Sequence, residues 1–347
     1  MALVKVQLSP GIDKQDTEYG AEGRWFDGDN VRFRYGLPEK IGGWAKVTSD
    51  ALLGAARGMR AWFSLDGDPY TITGTNKKLY VYANNAWSDI TPVRDASGSI
   101  TDITTTNAKA DVTITDASHG AVEGDFVTLS SVSGAANGIT AAELTGEFEI
   151  QSITSTSQYV ITSKGTATST GAGSVTATGS YEINTKPAAS IQGYGWGAGT
   201  WGLSTWGTTR SGLAAPNSVQ LDAGKWSIDN WGEDALCQFF NGSLYYWDTS
   251  VGTGTVAAIV SNAPTTSRFA MVSGTDRHVI LFGTETTIAS AATQDDMFIR
   301  WSDQDDYTAW TPTATNTAGS QRLTDGSRLI AAARSRGAVL ILSLIHI

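Results

Sequence analysis

Tryptophan is distributed along this chain in two blocks with a long empty stretch between them, and that distribution constrains the fold more than any single motif. Of twelve tryptophans, Trp25, Trp44, Trp62 and Trp87 precede the gap, and the other eight lie between Trp196 and Trp310. Large aromatic side chains are favoured in sheets of short strands, where they fill the space between layers. A stretch without them must build its core differently. From about Gly98 to Tyr181 the composition turns to Thr, Ser, Ala and Gly, with Lys109 and Lys164 as its basic residues. Period-two alternation persists there, as in Asp111-Val112-Thr113-Ile114-Thr115 and Gln158-Tyr159-Val160-Ile161. Alternation of that kind is a strand signal, which low-complexity disorder lacks. Residues 98–181 therefore read as a separate inserted module of short strands. It separates an N-terminal arm and first blade at 1–97 from further blades at 182–341.

The flanking halves read as meanders of short antiparallel strands. Met59 to Phe63, a turn at Leu65-Asp66-Gly67-Asp68-Pro69, Tyr70 to Thr73, Lys78 to Tyr82 and a turn at Asn84-Asn85 make one up-and-down unit. A second is centred on Asn241-Gly242, read as a two-residue hairpin turn, and a third runs from Phe269 through His278–Gly283 to Met297–Ser302. A fourth begins at Arg328. Repeated sheet units at irregular spacing predict an all-β chain, a partial β-propeller-like meander of short antiparallel blades around the inserted module, with packed sandwich pairs as the alternative.

Composition narrows the chemistry. The 347 residues hold one cysteine, Cys237, so no internal disulfide forms and no Cys-based zinc site exists. Thirty-four acidic against 24 basic residues give a net charge of −10, which argues against a surface built to neutralise DNA phosphates. The N-terminus carries no secretory-signal pattern and no segment reaches membrane-spanning length, so no membrane partner is expected. The last residues, Leu342 to Ile347, are what CTG-TCT-CTT-ATA-CAC-ATC encodes, the transposon end found in sequencing-library adapters. Residues 342–347 are accordingly set aside as read-through, and His346 is not a ligand candidate.

Two strings carry a resemblance. Gly23-Arg24-Trp25-Phe26-Asp27-Gly28-Asp29-Asn30-Val31-Arg32-Phe33 with Gly36 to Trp44, and Ile299-Arg300-Trp301-Ser302-Asp303-Gln304-Asp305-Asp306 with Trp310-Thr311-Pro312, resemble tail structural proteins of short-tailed bacteriophages. The chain looks like a member of the tail nozzle or packaged-DNA stabilisation family, over most of residues 20–97 and 190–341. The resemblance implies a non-enzymatic virion subunit. Such a subunit assembles in the host cytoplasm into a homo-oligomeric ring, extends the portal channel, helps retain packaged DNA and meets a portal-side adaptor and other tail proteins. The Thr-rich insert departs from the simplest family pattern and resembles a small β-barrel module found inserted in many virion proteins.

Other motifs favour scaffold over chemistry. Asp303 to Trp310 partly matches the Asp-box of sialidase-type propellers, with Tyr307 where a glycine is usual, so Asp305 and Trp310 read as a structural blade clasp. Asp27-Gly28-Asp29-Asn30 and Asp66-Gly67-Asp68 lack the distal glutamate of a calcium loop and read as turns. Trp196, Trp201 and Trp206 recur every five residues, matching neither strand nor helix, and are the interface candidates. His119 and His278 have no partner placed for metal or nucleophilic chemistry, so no catalytic, metal or cofactor site is expected. The competing reading is a carbohydrate-binding or sialidase-like propeller. It would require Arg268, Arg277, Arg300, Arg334 and Arg336 to form a pocket near a tyrosine and a carboxylate.

Overall fold

The structure is a computed structural model that describes residues 8–15, 17–43, 45–185, 224–274 and 276–344. It divides into two units, Met1–Ser49 and Asp50–Ile347. In the first, β1 (Val31–Arg34) and β2 (Leu37–Lys40) form a hairpin closed by Tyr35 and Gly36, both at positive φ as a two-residue loop requires. Trp25 packs on Phe33 of this hairpin.

The second unit opens with a four-stranded antiparallel meander, β3 (Ala56–Phe63), β4 (Pro69–Thr75), β5 (Leu79–Ala83) and β6 (Ala86–Asp89). Its β5–β6 loop is Asn84-Asn85, both left-handed, the conformation asparagine tolerates better than most residues. The inserted module follows. It comprises β7 (Val93–Ile100), β8 (Asp102–Thr105), β9 (Asp111–Thr115), β10 (Phe126–Ala136), β11 (Ile139–Thr140), a one-turn helix α1 (Ala141–Leu144), β12 (Gly146–Ser155), β13 (Gln158–Thr162) and β14 (Gly171–Glu182). Six of these close a barrel in the order β10-β12-β13-β9-β8-β14, the seam being the β14–β10 pairing. Strand β7 extends the sheet beyond β14. The barrel interior is mostly aliphatic: Ile103, Val112, Ile114, Val127, Leu129, Ile150 and Ile161 surround Phe148, Tyr159 and Tyr181. Alternation sends these residues inward and the threonines outward, so no tryptophan is needed to fill a barrel this narrow. The module begins at Val93, a few residues before the expected 98, because β7 pairs with β14 from Val93 onward.

Two more four-stranded meanders follow. One is β15 (Trp226–Trp231), β16 (Asp234–Phe239), β17 (Leu244–Trp247) and β18 (Ala258–Ile259); the other is β19 (Phe269–Val272), β20 (Val279–Phe282), β21 (Phe298–Trp301) and β22 (Gly319–Arg322). A two-stranded sheet of β23 (Arg328–Ser335) and β24 (Ala338–Leu344) completes the described residues, so Leu342 to Leu344 form the end of a strand. Asn241-Gly242 departs from expectation. Pairing of β16 with β17 stops at Gln238 and Leu244, and Gly242 bridges instead to Ser267. The buried Gln238 amide explains this, donating to Phe239 O, Gly242 O and Ser267 O and holding open a wider loop.

The sheets stack in chain order through shared cores. Trp62, Ile72 and Val81 of the first meet Cys237 and Trp247 of the second. Leu236 and Leu244 then meet Val279, Leu281 and Trp310, and Phe282 and Ile299 meet Leu329, Val339 and Ile341. The close approach of β15 to the first blade depends on two glycines. A Cβ on Gly58 would lie 2.4 Å from Trp226 O, and one on Gly74 2.2 Å from Trp226 Cγ. This is an all-β chain, a partial β-propeller-like arc of antiparallel blades carrying an inserted small barrel.

Candidate functional site

Among the described residues the first strand of each blade is paired along one side only. Strands β3, β15, β19 and β23 turn toward a common cleft of about 630 Å³, with β15 packed between β3 and β19. A basic residue stands at or near the entry to each of these strands: Arg57 in β3, Lys225 just before β15, Arg268 just before β19 and Arg328 opening β23. Arg60 and Arg334 add two more cations to the lining.

Asp229 organises one side of this cleft. One carboxylate oxygen lies 3.3 Å from the Arg60 guanidinium, and the other accepts from Arg334 Nη2 and, at 3.0 Å, from Val272 N. Arg60 also donates to Asn230 Oδ1 at 2.8 Å, and Arg334 Nε donates to Val272 O at 2.7 Å. The Nε of Arg60 is buried without a hydrogen-bond partner. Burial, and then repulsion from Arg60, lower the Arg334 pKa from its usual value. On the other side Arg268 holds Asp296 through two bonds of 2.6 Å and lies over the Phe240 ring at 5.4 Å. Such forks fix a guanidinium plane.

Of the five arginines considered from sequence, Arg268 and Arg334 line the cleft. Arg277 stacks on Trp231 and pairs with Asp305 at 3.1 Å, while the buried Arg300 donates to Glu285 O and Thr286 O. Arg336 is exposed beside Gly337 in the β23–β24 turn. No tyrosine lines the cleft among the described residues. Sequence reasoning passed over Arg57, Arg60, Lys225 and Arg328. Their signal was the recurrence of a cation at the start of successive sheet units.

Around the Asp-box, Trp310 is buried and donates through Nε1 to Tyr307 O at 2.7 Å. The carboxylate that captures backbone N–H groups is Asp303, which accepts from Gln304 N, Thr317 N and Thr317 Oγ1; these bonds hold its pKa below the ordinary range. Asp306 does the same for Thr308. Asp305 supplies the left-handed turn residue and the Arg277 pair. Trp196, Trp201 and Trp206 lie outside the described residues.

Two polar clusters are scaffold. Asp89, Glu147 and Glu182 converge as a metal site would, but the Lys78 ammonium stands among them, hydrogen-bonded to Glu147, 2.6 Å from Glu182 and 3.0 Å from Asp89. His119 is buried in the barrel, its Nδ1 accepting from Ala121 N at 3.1 Å and its Nε2 facing Ser155 O at 3.3 Å, so the imidazole is spent on the backbone. His278 faces Ser302 O through Nδ1 at 2.8 Å.

The class of molecule defined here is a blade-built β protein with a basic cleft at its inner strands. No family model and no curated protein matches the chain. Among solved structures, the phage phi92 endosialidase aligns with 88% of this chain and 43% of its own, at 15% identity and a TM-score of 0.26. The chain thus spans less than half the length of that protein.

Proposed function

We propose that this protein is a non-catalytic structural component of a phage virion, a tail tube or nozzle subunit that forms a homo-oligomeric ring, extends the portal channel and helps retain packaged DNA. One observation carries the reading. The second string that resembles the nozzle family is architecture: Ile299 is core, Arg300 ties down two carbonyls, Asp303 and Asp306 close a turn, and Trp310 is buried beneath it. Residues shared for such reasons specify a shape, as a ring subunit requires, rather than a reaction. The carbohydrate-binding propeller is the second reading, favoured by the convergence of Arg60, Arg268 and Arg334 on one cleft. Electron microscopy of the purified protein, alone and with a portal complex, separates the two. Rings that seat on the portal and a preparation inert toward sialylated and host-surface glycans are expected. A monomer that cleaves such a glycan would overturn the proposal.

A further inference from the structure

We propose that the seat of the inserted module on the first blade is a pH-operated latch, closed while Glu182 holds a proton and loosened when that carboxyl ionises. The seat is polar, since module and blade keep separate apolar cores. Side chains of the β4–β5 turn reach across it, Lys77 to Glu149 at 2.6 Å, and Lys78 to Glu147, to Glu182 at 2.6 Å and to the face of Phe126 at 4.2 Å. Glu182 stands next to Ile183, whose N–H donates to Pro92 O. A change of charge on Glu182 therefore acts where the chain leaves the module.

Carboxyls outnumber cations at this point. Lys78 is one ammonium among Asp89, Glu147 and Glu182, an oxygen of each lying within 4.8 Å of the others. Asp89 and Glu147 are exposed to water, whereas Glu182 is buried and its Oε2 accepts no hydrogen bond. A buried ionised oxygen without a donor is costly; a proton removes the charge and makes that oxygen a donor, with the neighbouring Glu147 carboxylate to receive it. Burial raises the Glu182 pKa from 4.5 to about 8, Glu147 and Asp89 add to the rise, and Lys78 opposes it. Of the other groups nearby, Lys77 is held by Glu149, and burial foremost raises the Tyr80 hydroxyl of β5. Strand β7, which pairs with β14, brings Arg94, but this lies over the Tyr181 ring at 5.8 Å and donates to His119 O, on the other face of β14. The folded value of Glu182 lies above the ordinary one, so its stabilisation is complete below 4.5 and is lost as pH rises through about 8. Lys78, held above its own ordinary value, keeps its proton throughout and does not set the window. On the alkaline side one ammonium faces three carboxylates, and the Glu182 oxygen is satisfied only when water enters the seat.

The test is energy transfer between dyes on Asp66→Cys, in the β3–β4 turn of the blade, and Thr156→Cys, in the β12–β13 turn of the module, both exposed positions; the buried Cys237 stays unlabelled. Transfer is expected to hold level at mildly acidic pH and to change reversibly through about 8, while far-ultraviolet circular dichroism keeps its strand signal. Glu182→Gln should remove the transition. Glu147→Gln, which takes away a charge that raises Glu182, should move the midpoint to lower pH. If Glu182→Gln does not fold, the shift in Glu147→Gln decides. Level transfer in the parent, loss of the strand signal along with the change, the same transition in folded Glu182→Gln, or an unmoved midpoint in Glu147→Gln would each overturn the proposal.

Discussion

Buried charge in this protein is balanced by several groups at once, and the consequences are read at single residues. Lys78 is 1% exposed. Burial is the largest influence on its ammonium and opposes it, but Glu182, Asp89 and Glu147 together outweigh it and hold the lysine above its ordinary range. Asp125 has no such company. It accepts Val122 N at 2.9 Å, yet burial outweighs that bond and the nearby Arg94, raising its pKa from 3.8 to about 6. A carboxyl raised on folding binds its proton more tightly in the folded state, so its contribution favours folding at low pH and declines as pH rises from 3.8 through about 6. Asp125→Asn keeps an acceptor for Val122 and removes the titration. The variant should be more stable than the parent at neutral pH by about 1–3 kcal/mol, with a flatter dependence below it; urea unfolding across that range checks this, and an unchanged slope would contradict it. Trp310 was legible in the sequence because its partner is three residues away. Lys78 was not, since Glu147 and Glu182 lie 69 and 104 residues along the chain and no local pattern announces them.

Among the elements, the strands that alternate cleanly are those the sequence made readable, since period two and the Asn84-Asn85 turn both act over a few residues. Asn241-Gly242 misled because a buried glutamine and Ser267, brought by another sheet unit, compete for that turn. The recurring cation at each inner strand was equally local, but its meaning depends on the strands facing one cleft, which is a tertiary fact. Packing between the first two blades rests on bare backbone. Gly74→Ala puts a methyl 2.2 Å from the Trp226 ring, inside any tolerable contact, so it should cost about 1–3 kcal/mol or more. Thermal unfolding with near-ultraviolet dichroism checks it, the tryptophan signal changing along with the midpoint. A parent-like melt would mean that Trp226 moves aside freely.

For the whole molecule, the tryptophan gap marked the inserted module but could not show that it closes, because the seam joins Phe126–Ala136 to Gly171–Glu182 across the length of the insert. Closure leaves the sheet edges to β7 and the short β11, and the core is the module's own. Residues 93–183 expressed alone should therefore unfold cooperatively in urea; a broad, non-cooperative transition would show that the module borrows its stability from the blades. The manner of its attachment has a consequence beyond stability. Pro92 and Ile183 stand at entry and exit, joined by a hydrogen bond of 3.0 Å between Ile183 N and Pro92 O. The chain thus enters and leaves the module through a neck no wider than a tight hairpin, but Lys77 and Lys78 of the first blade also reach Glu149 and Glu147 of the module, so a cassette exchanged at this neck has to bring carboxylates for a lysine that is otherwise buried.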